Sequence, residues 1–259
     1  MPSASSESDP SRPAGTATTP ALVGGSVGRT LVNMAVPMLA GTFAMNAYSL
    51  TDTWFVSRMG TRPLAAMSFT FPVVMMVTCV ASGLGNGLTM LVSHALGRRD
   101  HDAARRLTTH GLLLMTAVTL VLSVAGCLSI GPVFRALGVD AETLPLVRDY
   151  MLVWFGGALT MSLPQVGNGI LISLGDSRAA SRLMILGTLL NTLLDPIMIF
   201  GYLGCPAMGM RGAALATVIS QAVSAVWLLT LLGRKHHLLR APTGAMHGCL
   251  SSWRRVVAM

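Results

Sequence analysis

The sequence predicts an all-α membrane protein, a bundle of six transmembrane helices. Three observations carry this. Of 259 residues, 52% are hydrophobic and only 11% are charged, whereas soluble domains carry about 25% charged residues. Mean hydropathy is +0.63. Six apolar stretches, roughly 30–57, 64–92, 108–134, 144–174, 180–202 and 209–232, each exceed the ~20 residues that a helix needs to cross a bilayer. The net charge is +8, but it comes as scattered arginines and not as a basic block interleaved with aromatics. It therefore reads as loop charge that sets topology, and no nucleic-acid partner is expected. The four cysteines are far apart, with no Cys-x-x-Cys pair, so neither a zinc site nor a disulfide framework is suggested. No cofactor is expected.

Residues 1–28 are rich in Ser, Pro, Thr, Ala and Gly and read as a disordered tail. The first stretch carries Pro37 and the second Pro72, both candidate kinks. Gly83-x-Gly85-x-Gly87 in the second follows no strand, so it reads as close helix packing and not as a nucleotide loop. His94, His101 and His110 flank a basic loop and are expected to be solvated. The fourth stretch is the least regular. Its first turns, Leu144 to Tyr150, carry Arg148 and Asp149 and are expected at the interface. Gln165 and Asn168 are polar at membrane depth and are candidate lining of a cavity. In the fifth stretch Pro196 lacks an N–H, so the Thr192 carbonyl loses its helical partner and a bend is expected. Residues 29–233 are thus read as a six-helix lobe, and 234–259 as a cytoplasmic linker.

If the N-terminus is cytoplasmic, thirteen of the eighteen Lys and Arg fall on the inside and five on the outside. This supports an N-in, C-in chain in the cell (inner) membrane. Of the ten acids, only Asp52 and Asp195 lie well inside apolar stretches. Each is six residues before the outer end of its helix, marked by Arg58 and Gly201. At 1.5 Å per residue, both sit about 9 Å below that end. Each also has a polar neighbour one turn back: Tyr48 before Asp52, Asn191 before Asp195. Thr217, six residues past Arg211, falls at a similar depth. A carboxylate in hydrocarbon is costly, and persists where it faces protein or a wet cavity. Two acids, a tyrosine, an amide and a hydroxyl at one depth form a cluster suited to a proton or a small cation such as Na⁺. The competing reading of Asn191 and Thr217 is that each simply ties helices together.

Four runs resemble one family: Pro37-Met38 with Tyr48-Ser-Leu-Thr-Asp52-Thr-Trp-Phe-Val56, Leu174-Gly175-Asp176-Ser177-Arg178, Asn191-x-x-x-Asp195-Pro196-x-x-Ile199-Phe200-Gly201, and Gly209-x-Arg211-Gly212-Ala213-Ala214-x-Ala216-Thr217. Together they look like the N-terminal half of a multidrug and toxic compound extrusion (MATE) transporter, most similar to the DinF-like and archaeal branch. The resemblance implies one lobe of a twelve-helix protein, and a cation-coupled antiporter exporting amphipathic, often cationic, organic compounds. A proton is the expected coupling ion, with Na⁺ the alternative. Asp52 and Asp195 would be the coupling carboxylates, and Tyr48, Asn191 and Thr217 their hydrogen-bond partners. Pro37 would mark the bend that changes with protonation. Asn168, with Gln165 near it, would face the substrate. Met45 departs from the family, standing where a polar cavity residue is expected.

Family members have twelve helices, and this chain has six. Its last residues, Trp253-Arg254-Arg255-Val256-Val257, echo Arg29-Thr30-Leu31-Val32 at the entry to the first helix. The expectation is a truncated first lobe whose partner is a second lobe or a second half-transporter. Two other classes fit less well. An intramembrane aspartyl protease needs adjacent Tyr-Asp, whereas Tyr48 and Asp52 are four apart. A lipid-linked oligosaccharide flippase needs basic residues at membrane depth, and none lies there.

Overall fold

The computed structural model describes residues 27–235 and 238. Residues 1–26 of the expected 1–28 tail, most of the 234–259 linker and the side chain of Met45 lie outside the described residues, and residues 27 and 28 already belong to α1. The elements in chain order are α1 (Val27–Ser57), α2 (Thr61–Gly97), α3 (His101–Ala136), α4 (Leu144–Gly156), α5 (Ala158–Ser173), α6 (Ser177–Phe200), a 3-10 turn (Tyr202–Gly204), α7 (Met210–Thr230) and a π-helical turn (Leu231–Lys235). Among the described residues there is no strand. By length and composition α2, α3, α6 and α7 with its π-helical extension can each cross a membrane. The 31-residue α1 and the α4–α5 pair complete six helical passes, so the all-α bundle read from the sequence is the fold.

α1, α2, α3 and α6 begin before the apolar stretches that announced them. α3 starts at His101 because Asp100 caps it, its side chain accepting from the Ala103 amide at 2.9 Å. The cap satisfies an orphan donor, so the helix forms in the polar segment before the apolar run begins. Arg105 and Arg106 are therefore helical. His94 and His101 are exposed as expected, but His110, about two and a half turns further into α3, is only 3% exposed. The fourth stretch is not one helix but two, jointed at Gly157 (φ −97°, ψ 1°). Gly156 and Gly157 weaken the helix there. Ser123 of α3 donates to the Phe155 carbonyl at the joint. Pro37 lies inside α1 and Pro196 inside α6.

α1 packs on α6, and α6 on α7; α2 lies between α3 and α5, and α4 and α5 both pack on α7. Two apolar cores result. One gathers Val56, Phe134, Tyr150, Ile199 and Ala213 near the loop after α6. The other gathers Leu88, Ala104, Leu171, Leu183 and Leu228 near the opposite end. Between them, along α6 and α7, the buried residues turn polar: Asn191, Asp195, Thr217, Ser220 and Ser224. Ion pairs join residues that alternating passes bring to one end. Arg62–Glu142 and Arg211–Asp149 (2.7 Å) lie at the first end, and Lys235–Asp176 at the second. Such exposed pairs contribute at most ~1 kcal/mol each, so they mark the ends of the bundle more than they hold it. In the loop before α4, Asp140 accepts from the Thr143 amide at 3.1 Å. Hydrogen bonding by Thr143 holds this exposed carboxyl below the usual carboxylate range.

The α6–α7 connection fixes the register of the polar segment. Gly201 takes the left-handed conformation (φ 78°, ψ 33°) and ends α6. The chain then folds back, and the amides of Met208 and Gly209 donate to the carbonyls of Met198 (3.0 Å) and Ile199 (3.2 Å). Gly212 lies so close that a Cβ there would meet the Met198 carbonyl oxygen at 2.3 Å. That contact is backbone, which cannot rotate aside. Gly212→Ala is therefore expected to destabilise the chain by about 1–3 kcal/mol. Gly83→Ala, where a Cβ meets nothing within 4 Å, is expected to be neutral or mildly stabilising. Thermal unfolding of the purified protein in detergent checks both; an unchanged Tm for Gly212→Ala would contradict the packing.

Candidate functional site

α1, α6 and α7 bring the predicted cluster together. Asp52, Asn191, Asp195 and Thr217 are buried, Asp195 with no exposed surface and Asn191 at 1%, and Tyr48 is half-buried. Tyr48 Oη and Thr217 Oγ1 are 3.2 Å apart. Asn191 Nδ2 donates to Asp195 Oδ1 and to Thr217 Oγ1, both at 3.3 Å. With its amide turned over, Asn191 instead donates to Asp195 Oδ2 at 3.1 Å and accepts from the Thr217 amide at 3.3 Å. The turned amide satisfies both ends of the side chain, and either way Asn191 serves Asp195. Thr217 Oγ1 can also donate to the Ala213 carbonyl at 3.1 Å, which makes it the node between α1, α6 and its own helix.

The two acids are held differently. Asp195 has its amide partner one turn away. Asp52 is buried at 4% exposure, and its Oδ1 has no hydrogen-bond partner among the described residues. Asp52 lies within electrostatic reach of Asp195, and both within reach of Tyr48. The spacing argument from the sequence put the two carboxyls at one depth, and the helices that carry them, α1 and α6, pack on each other.

One member escaped the sequence reading. Tyr150 of α4 is 7% exposed and interacts electrostatically with Asp52, Asp195 and Tyr48. Sequence spacing placed it at an interfacial helix start. The signal that could have found it is its depth: it faces inward one residue after Asp149, which pairs with Arg211 at the start of α7. A second feature escaped as well. Thr42, Asn46, Ser49 and Thr53 are all exposed and recur at spacings of four, three and four. They form a polar stripe on α1 about 90° round the helix from Asp52. Its hydroxyls are tied back, Thr42 Oγ1 to the Met38 carbonyl at 3.0 Å and Thr53 Oγ1 to the Ser49 carbonyl at 2.8 Å. The outward face is therefore mainly acceptor.

The two expected cavity residues stand apart from the cluster. Gln165 is exposed and donates to Ser82 of α2 at 2.5 Å. It borders a cavity of ≈ 30 Å³ with Ala81, Met115 and Trp154, room for about one water and no organic molecule. Asn168 is half-buried and points its amide at Met184 Sδ, 3.2 Å away.

Residues 37–197 match the MatE family of membrane transporters. The chain belongs to that family. It is 36% identical over 235 residues to the FAD transporter of Shewanella oneidensis, covering 91% of this chain and 52% of that protein. It is 26% identical over 216 residues to the probable multidrug resistance protein YoeA of Bacillus subtilis, covering 83% of this chain and 47% of that one. A crystal structure of a MATE protein in the straight conformation superposes with a TM-score of 0.75 at 29% identity, over 90% of this chain and 53% of the other. Its bent conformation gives 0.71 at 30% identity. The chain thus spans about half the length of the relatives it matches.

The Tyr48–Thr217 contact predicts measurable coupling. Tyr48→Phe and Thr217→Val are each expected to cost about 1 kcal/mol of stability. The double variant is expected to fall short of their sum by 0.5 kcal/mol or more. Strict additivity in detergent unfolding would mean that the two side chains do not interact.

Proposed function

We propose that this chain is the coupling lobe of a cation-driven antiporter that exports amphipathic organic compounds, with Asp52 and Asp195 as the carboxylates that exchange a proton for cargo. The observation that supports the reading is the burial of both acids on helices that pack on each other, with Asn191 bonded to Asp195 and Thr217 bonded to Tyr48 and Asn191. Two like charges in a buried site repel strongly, so the pocket is balanced by a cation. A proton taken up from outside neutralises the pair and lets α1 settle against α6, with Pro37 as the bending point. A cationic substrate and the proton then compete for the same negative charge. Na⁺ is the alternative ion, since carboxylate, amide and hydroxyl oxygens suit a hard cation. The lobe works against a second six-helix lobe or a second copy, in the inner membrane with its N-terminus in the cytoplasm. The acceptor-rich stripe on α1 faces that partner or the substrate path, because an exposed asparagine is poorly placed against lipid.

The substrate has two candidate classes. Cationic drugs fit the acidic pocket and the multidrug names of several relatives. A flavin nucleotide is favoured by the relative of highest quoted identity, a FAD transporter. It would require the partner lobe to supply charge for its phosphates, because the acids here repel them.

Vesicles carrying the chain with an imposed pH gradient test the reading. Gradient-driven efflux of a cationic dye is expected to fall at least tenfold in Asp52→Asn and Asp195→Asn, with membrane insertion unchanged. Efflux equal to wild type in either variant would contradict the assignment. Parallel assays with FAD separate the two substrate classes.

A further inference from the structure

In the proposed antiport the acids pass their proton on toward the opposite end of the bundle, and a mostly polar row on α6, interrupted by Met184, leads there. On α6, Asp195, Asn191, Thr188, Met184, Ser181 and Ser177 recur at spacings of four, three, four, three and four. This is one face of one helix, running about 27 Å from the acid pocket to the start of α6. Asn191, Ser181 and Ser177 are buried, and Thr188 and Met184 are half-buried. α1 covers this face. A Cβ at Gly41 of α1 would meet Met184 Sδ at 3.0 Å and the Ser181 Cα at 3.5 Å, so the two helices touch closely there. α5 closes the side, where Asn168 Nδ2 donates to Met184 Sδ.

Two atoms on this seam are out of balance. Ser181 is 4% exposed, yet its Oγ has no hydrogen-bond partner among the described residues; the same holds for Asn168 Oδ1. Buried hydroxyls in helices usually tie back to the preceding turn, as Thr217 and Ser224 do here. A buried polar atom left unpaired costs about 1–3 kcal/mol, and water is the ordinary remedy where two or more polar groups converge.

We propose that the α1–α6 seam is a hydrated proton path connecting the Asp52–Asp195 pocket to the Ser177 end of the bundle, with its narrow point at Gly41. The proposal rests on the coupling role given to the two acids. Asp195 gives its proton to the first water, each water passes one on, and the last releases one to bulk at the Ser177 end; no net charge is left in the seam. Serine and threonine hydroxyls serve as both donor and acceptor, so they hold such a file without ionising. Gly41 stands one turn from Pro37. Movement of α1 at that proline therefore widens or closes the narrow point, which keeps the path from short-circuiting the gradient while the outer pocket is open.

The test is thiol reactivity with methanethiosulfonate ethylammonium, a charged reagent that attacks thiolates in water. In a background with the native cysteines replaced by serine, Ser181→Cys and Thr188→Cys are introduced singly into the full chain in lipid vesicles. Leu189→Cys and Leu193→Cys serve as controls, since these residues are 56% and 64% exposed on the outer face of α6. Both seam positions are expected to react at least tenfold faster than both controls. Adding Gly41→Leu is expected to slow the Ser181→Cys reaction by a similar factor. Reaction of neither seam position above the controls, or of only one, would overturn a continuous path. Where Ser181→Cys folds poorly, Ser177→Cys is read in its place. Labelling reads hydration whether or not the acids couple transport. Failure here leaves the assignment of Asp52 and Asp195 standing, and failure of the efflux test leaves the labelling result standing.

Discussion

Everything in this lobe is arranged around the cost of putting two carboxyl groups inside a membrane helix bundle. Hydrocarbon does not tolerate them, so protein must enclose them, and enclosing them dictates which helix lies against which. α1 carries one acid and α6 the other, and these helices pack on each other. α7 supplies Thr217, which bonds across to both. The apolar cores lie to either side of this polar belt.

That arrangement also explains why α1 has distinct faces. The face toward α6 carries Tyr48 and Asp52. A second, exposed face carries Thr42, Asn46, Ser49 and Thr53, and a third carries Leu39, Phe43 and Leu50, all exposed and apolar. A helix packed on one side and divided on the other between polar and apolar surroundings stands at a boundary between lipid and something wetter. In the proposed reading that boundary is where a second lobe meets this one.

Much of this was legible in the sequence because membrane helices obey simple rules. Length and apolarity marked the passes, and counting residues from Arg58 and Gly201 put Asp52 and Asp195 at equal depth. Four-residue spacing paired Asn191 with Asp195. What escaped was set by contacts between helices. The Gly156-Gly157 pair is the local sign of the joint in the fourth stretch, but what requires it is a contact between helices: a Cβ on Gly157 would run into Val218 of α7 at 2.1 Å. For the same reason Tyr150 read as an interfacial residue, and His110 as solvated, when the packing of neighbouring helices buries both. Gln165 and Asn168 read as cavity lining from their polarity, which could not tell that one bonds to Ser82 and the other to Met184.

The central claim is that the two buried acids exchange a proton for cargo. The carbonyl stretch of protonated carboxyl groups, followed by infrared difference spectroscopy on the reconstituted chain as a cationic substrate is added, addresses it directly. The account predicts loss of protonated-carboxyl signal on substrate addition, diminished in Asp195→Asn and in Asp52→Asn. Substrate binding that leaves this signal unchanged in the wild-type chain would contradict it.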